Sequence, residues 1–178
     1  MADFDLESRI ISIPDYPEPG VIFKDITPLF ADGEALAAAI DEIADRFADA
    51  GITKVLGAEA RGFLVGAPVA YRLGCGFVPA RKPGKLPRAT YSQTYELEYG
   101  TDELQIHRDA LEPGDRVLIV DDLVATAGTA VACAKLAEQT GATVAAFSFI
   151  LELAYLHPRD LISQSYPDLE VQTLIVVE

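Results

Sequence analysis

The sequence predicts an α/β fold with a central parallel sheet flanked by helices, and three observations carry that prediction. Helical and strand-like segments alternate between residues 34 and 80, as they do when helices cover both faces of a parallel sheet. A further apolar run, Val117 to Val120, suits a strand buried on both faces and is followed by another helical stretch. Between them, Tyr91 to His107 switches to an alternation of period two, which reads as a hairpin turning at Gly100.

Each element has its own justification. From Glu34 to Ala50, Leu36, Ile40, Ile43 and Phe47 recur at spacings of four, three and four, the stripe of an amphipathic helix, and Gly51 ends it. Lys54 to Gly57 read as a short strand, Gly62 to Leu73 as a helix entered through Arg61, and Phe77 to Ala80 as a second strand. In the hairpin, Tyr95, Leu97 and Tyr99 share one face while Glu96 and Glu98 take the other. Ala130 to Thr140 read as a helix, Thr143 to Leu151 as a long central strand, Pro158 to Ile162 as a helical turn and Leu169 to Val177 as a last strand.

A chain of 178 residues that is 50% hydrophobic fits one domain over 1–178 with a substantial core, and no linker, repeat or low-complexity tract divides it. Fourteen basic against 28 acidic residues leave a net charge of -14, which argues against nucleic acid and anionic membranes as partners. The start, Met1 to Glu7, is acidic rather than basic-then-apolar, and no stretch approaches ~18 apolar residues, so a cytoplasmic protein is expected. Cys75 and Cys133 form no Cys-x-x-Cys pattern and are expected as buried free thiols; with His107 and His157 isolated, a structural zinc site is not expected.

Chemistry concentrates at residues 117 to 130. Asp121 and Asp122 follow the apolar run and are expected at the carboxyl edge of its strand, where open α/β sheets place ligands. Ala125, Thr126, Ala127, Gly128 and Thr129 carry little bulk, so their N–H groups can approach an anion at the start of the next helix, and the two threonines add hydroxyls. Neither a P-loop nor a Gly-x-Gly-x-x-Gly fingerprint is present. Two acids beside a phosphate cradle repel a bare polyphosphate but accept hydrogen bonds from vicinal hydroxyls, which points to a ribose 5-phosphate. The competing account is that the pair only caps the helix. Arg81, Lys82, Lys85 and Arg88 form a basic cluster that either holds a polyanion or is simply a solvated loop.

Residues 117 to 130 resemble the phosphoribosyl pyrophosphate motif of the type I phosphoribosyltransferases. Other segments are similar in the same order: Asp15 to Pro28, Glu59 to Phe63, Arg81 to Pro87, Leu97 to Gly100 and Asp109 to Gly114. Together they resemble the adenine-using branch, which implies that fold with a flexible hairpin loop and an N-terminal hood, residues 1–33, over the base. The implied reaction takes phosphoribosyl pyrophosphate and adenine to AMP and pyrophosphate, in a cytoplasmic homodimer. By the same resemblance Asp121 and Asp122 face the ribose, and Ala125 to Thr129 hold the 5-phosphate. Arg61, Arg81, Lys82 and Lys85 hold pyrophosphate, Ile22, Phe23 and Lys24 cover adenine, and Glu98 assists proton movement at the base. Magnesium would arrive on the phosphoribosyl pyrophosphate, with no dedicated protein cage.

Several alternatives stand beside these roles. Arg61 can pair with Glu59 or another surface acid, the 22–24 segment can be a core strand, and Glu98 can be an ordinary hairpin glutamate. Ala127 replaces the glycine that many relatives carry, and a negative φ is expected there if the loop is to take a phosphate. Lys24 replaces an arginine found in some relatives, which loses a bidentate fork. A phosphoribosyltransferase for hypoxanthine, guanine or xanthine, or a non-catalytic sensor of phosphoribosyl pyrophosphate, would share the 117–130 motif; the acidic charge weighs against the sensor.

Overall fold

The computed structural model describes residues 5–96 and 100–178. The chain opens with a single 3-10 turn and a two-stranded antiparallel ribbon, β1 (Ile11–Pro14) and β2 (Ile22–Asp25). Two helices follow, α1 (Thr27–Ala31) and α2 (Gly33–Phe47), then β3 (Lys54–Ala58), α3 (Gly62–Leu73) and β4 (Gly76–Ala80). The antiparallel hairpin β5 (Thr90–Glu96) and β6 (Thr101–His107) precedes β7 (Arg116–Val124), α4 (Gly128–Gln139), β8 (Thr143–Leu153), α5 (Pro158–Ser165) and β9 (Glu170–Val177).

Five strands form the central sheet in the order β4-β3-β7-β8-β9, all parallel. The order reverses between β3 and β7, so the loops leaving their carboxyl ends part and open a crevice there. That is the one position in the sheet where two strand-to-helix turns, 59–61 and 125–127, flank a common gap.

The strand residues explain the layering. In β7, Val117 and Ile119 pack into one core cluster with α4 and the hairpin, while Leu118 and Val120 pack into another with α2 and α3. Alternate side chains are thus apolar on both faces, as a doubly covered parallel strand requires. The first turn of α2 is held by Asp32, whose carboxylate accepts from the N–H groups of Glu34 and Ala35 at 3.0 and 3.2 Å. At the amino end of the sheet, Asp115 accepts from the Thr53 hydroxyl at 2.7 Å and from the Glu112 N–H at 3.0 Å, pinning the entry to β7 beside β3.

Several expectations need correction. β7 runs to Val124, so Asp121 and Asp122 lie within a strand and not past its end. The pairing shows why: β3 stays with β7 only to Val120, whereas β8 continues alongside to Val124. The carboxylates therefore have a neighbouring strand on one side and the crevice on the other. Helix α4 starts at Gly128, two residues before the apolar pattern suggests. Cys133 is buried, but Cys75 is only partly so. The 22–24 segment is no core strand: it belongs to the exposed ribbon, with Ile22 at 55% exposure. Glu98 lies outside the described residues.

The sheet's rigidity depends on its largest buried side chains. Phe147 on β8 is fully buried and packs against Tyr166 with ring centroids 5.5 Å apart. Truncating it to alanine is expected to cost about 3 to 5 kcal/mol, read as a fall in the urea midpoint at unchanged slope. A loss below ~1 kcal/mol would mean this layer is not close-packed.

Candidate active site

The crevice is a cleft of about 310 Å³ over the ends of β3 and β7. Its lining includes Glu59 and Arg61 from one turn, Lys82, the whole stretch Asp121 to Ala130, and Tyr95, Leu104 and Phe149. Asp121, Asp122, Ala125, Thr126, Ala127, Gly128, Thr129, Arg61 and Lys82 are therefore brought together. Arg81 and Lys85 stand outside the lining, and so do Ile22, Phe23 and Lys24.

The carboxylate pair sits under tight steric control. The N–H of Asp122 donates to Oδ1 of Asp121 at 2.9 Å, and a methyl group on Gly62 would come within 2.8 Å of that same oxygen. Only glycine at the start of α3 leaves room for it. A methyl on Gly57 would in turn meet the Gly62 carbonyl at 2.9 Å, so β3 and α3 approach each other through two glycines.

Burial, reinforced by the adjacent Asp122 carboxylate, pushes the Asp121 carboxyl well above the usual carboxylate range. Burial also raises Asp122, with the Arg61 guanidinium pulling the other way. Arg61 Nε lies 2.9 Å from Asp122 Oδ2. That oxygen is buried and has no hydrogen bond aligned on it, so the contact is a charge pair without a matched donor.

Three of the four cations expected to hold pyrophosphate, Arg61, Arg81 and Lys82, face a carboxylate. The competing account for Arg61 is corrected: it faces Asp122, and Glu59 pairs instead with Arg81 Nε at 2.6 Å. Arg81 is also tied to the hairpin by reciprocal backbone bonds with Gln105, at 2.8 and 2.7 Å. Lys82 pairs with Asp102, which raises the Lys82 ammonium and lowers the Asp102 carboxyl. Arg88 pairs with Asp109, and Lys85 is exposed in the turn that follows Lys82.

The phosphate loop departs from expectation at one residue. Ala127 adopts φ +64° in the left-handed region, not a negative angle. Its carbonyl accepts the first bond of α4, from the Val131 N–H at 3.0 Å, so the loop must turn sharply into the helix. Gly128 follows because a methyl there would meet the Glu96 carbonyl at 2.9 Å and the Tyr95 ring at 3.3 Å. The small residues of this motif answer to the hairpin packed on them as well as to any anion.

Tyr95 and Asp102 were absent from the expected site. The signal available was modest: Tyr95 is an inward position of the alternating hairpin strand, and Asp102 lies directly across the ladder from it. The segment expected to cover adenine lies outside the cleft lining, with the Phe23 ring edge-on to Tyr16 at 5.2 Å and Lys24 Nζ donating to Ser12 Oγ at 2.8 Å.

The phosphoribosyl transferase domain family matches residues 23–177 of this chain. The chain belongs to the phosphoribosyltransferase family. The adenine phosphoribosyltransferase of Sodalis glossinidius (strain morsitans) is 56% identical to it over 158 residues, covering 89% of this chain and 86% of that protein. The crystal structure of adenine phosphoribosyltransferase from Thermoanaerobacter pseudethanolicus ATCC 33223 superposes with a TM-score of 0.91 at 48% identity, over 97% of this chain and 98% of that one. The Giardia lamblia enzyme complexed with 9-deazaadenine gives a TM-score of 0.91 at 34% identity, over 98% and 97%. The parallel sheet and the 117–130 motif of this phosphoribosyltransferase thus belong to the type I fold.

The Ala127 geometry gives a test. A left-handed residue costs about 1 to 2 kcal/mol, which glycine would relieve, but glycine also gives up about 0.5 to 1 kcal/mol of chain entropy and a buried methyl worth about 0.8 kcal/mol. Ala127→Gly is therefore expected to stay within about 1 kcal/mol of the parent, while Ala127→Val, β-branched at positive φ, should lose more than about 2 kcal/mol. Equal urea midpoints for the glycine and valine variants would contradict the left-handed assignment.

Proposed function

We propose that this phosphoribosyltransferase transfers the 5-phosphoribosyl group from phosphoribosyl pyrophosphate to adenine, releasing AMP and pyrophosphate. The observation that carries the reading is the meeting, in one cleft, of a carboxylate pair, Asp122 buried and Asp121 partly so, a small-residue loop at a helix N-terminus, and Arg61 with Lys82. The 5-phosphate suits the 125–129 loop, whose N–H groups and helix dipole favour an anion. The ribose hydroxyls suit Asp121 and Asp122. Pyrophosphate suits Arg61 and Lys82, with Arg81 and Lys85 approaching from the neighbouring segment.

Displacement at the anomeric carbon breaks the bond to pyrophosphate and forms one to a ring nitrogen of adenine, whose proton must leave. Positive charge grows on the sugar and negative charge on the leaving group. In this reading Asp121 and Asp122 steady the first, and the cations steady the second. Glu98 is the residue we assign to proton movement at the base.

Magnesium bound to pyrophosphate would neutralise part of the leaving-group charge. Asp122 Oδ2 is buried and charge-paired with Arg61, so in this reading the metal would be held through its substrate and not by a protein cage. A hydrated ion carried by its substrate needs no such cage.

The choice of adenine draws on the relatives' activity and on the Giardia enzyme's 9-deazaadenine. The ribbon carrying Ile22, Phe23 and Lys24 would serve as the hood, within residues 1–33 of a single catalytic unit. We also propose a homodimer, because α3 presents Leu64 at 52% and Tyr71 at 84% exposure, apolar surface that a second copy would cover. A cytoplasmic location is consistent with the absence, among the described residues, of a helix long and apolar enough to cross a membrane.

Two experiments test the reading. Asp121→Asn and Asp122→Asn are expected to lower turnover by ~100- to 1000-fold, the usual loss for one electrostatic contact made in the transition state. Because the folded carboxyls are raised, their contribution to stability is present at acid pH and lost as pH rises through the folded values. Asp121→Asn should therefore raise Tm at neutral pH by roughly 2 to 4 °C, the response of a domain this size to about 1 kcal/mol, with the gain shrinking toward acid pH. Near-normal turnover would reduce the pair to a structural feature.

Base choice is read from product formation with adenine, hypoxanthine and guanine at matched concentrations. A site that pairs the 6-amino group should reject a 6-oxo purine by ~10,000-fold or more, since the mismatch leaves buried polar groups unpaired. Comparable yields of IMP or GMP would overturn adenine while leaving the phosphoribosyl assignment standing.

A further inference from the structure

Lys82 is the cleft-lining cation whose partner comes from the hairpin. Its ammonium donates to Oδ2 of Asp102, at the start of β6. The Tyr95 hydroxyl donates to the same oxygen at 3.3 Å, and the Glu103 N–H donates to Oδ1 at 2.8 Å. Asp102 is thus fixed from three directions, on a strand whose ladder pairs it with Tyr95. Tyr95 in turn packs against the first residue of α4, where its ring would lie 3.3 Å from a methyl on Gly128. One carboxylate therefore joins the basic segment, the hairpin and the phosphate loop.

We propose that Asp102 is a positioning residue and a resident counter-ion for Lys82, holding the ammonium at the cleft wall and competing for it with pyrophosphate. The inference rests on the reading of Lys82 as a pyrophosphate cation. Lys82 reaches an anion in the cleft only by leaving or sharing the Asp102 oxygen, so this pair opposes anion binding and favours release.

The pair is half open to solvent, with side-chain exposures of 47% and 21%, and such pairs are weak enough to exchange. A stronger, buried pair would keep Lys82 from substrate; no pair at all would leave a free cation clinging to product. The direction of the two titrations agrees, since each partner favours the other's charged form.

The test is calorimetric titration of magnesium pyrophosphate into the full chain. Asp102→Asn keeps the shape and an acceptor for Tyr95 but removes the charge. It is expected to tighten pyrophosphate roughly two- to fivefold, the range for exchanging one half-exposed ion pair, with the KM for adenine unchanged. Asp41→Asn removes the same charge from a remote pair with Arg72 and should leave the affinity at the parent value. In a Lys82→Ala background the tightening should vanish.

A parent-like affinity for Asp102→Asn, with Tm preserved, would overturn the inference. So would equal tightening with and without Lys82, which would mean bulk charge alone. Asp102→Ser provides a second variant with the same expected sign. If Lys82→Ala binds pyrophosphate as tightly as the parent, the reading of Lys82 fails and this inference with it; if Lys82→Ala weakens binding while Asp102→Asn does not tighten it, the counter-ion role alone fails.

Discussion

Two adjacent carboxylates held in a largely buried cleft impose the conditions that the rest of the site meets. Neither is comfortable as an anion, since burial raises both and the Asp122 carboxylate raises Asp121 further. What makes the arrangement tolerable is local: Arg61 across from Asp122, the Asp122 N–H on Asp121, and a glycine at 62 that leaves the oxygen its space. The strand order then matters, because β8 supports β7 past Val120 while β3 does not. A sheet with symmetrical neighbours would have closed the gap in which these carboxylates face a ligand.

Much of this was legible in the sequence because periodicity and loop chemistry agree there. Apolar runs between helical stretches located the sheet strands, and the Asp-Asp run followed by small residues located the cleft. The reading erred where tertiary context overrides local preference. Aspartate usually ends a strand, so a β7 that continues through two of them escapes notice until its pairing with β8 is known. A left-handed Ala127 is equally hidden, since nothing local distinguishes alanine at φ +64° from alanine in the following helix.

Ion pairing was the least legible layer. A cluster of Arg81, Lys82, Lys85 and Arg88 reads as unopposed positive charge, yet Glu59, Asp102 and Asp109 come from separate segments to meet three of its members. The pairings with Asp102 and Asp109 depend on the hairpin folding back beside residue 81, a long-range contact that composition does not encode. The net charge of -14 takes on a local meaning as a result: the surplus of acids is partly spread among the cations of the cleft and moderates their pull on any anion.

The division of labour between sheet and loops has a consequence for how this scaffold can change. Asp121 and Asp122 stand on a strand of the central sheet, whereas Arg81, Lys82, Tyr95 and the 22–24 segment stand on the connections and ribbons around it. On the proposed assignment, substitutions in those outer pieces would retune which base or leaving group is accepted while the folding core stays intact. Substitutions at Gly62 or along β7 cannot, because there the same atoms serve packing and chemistry together. Diversification toward new acceptors is therefore open at the rim of the cleft and closed at its floor.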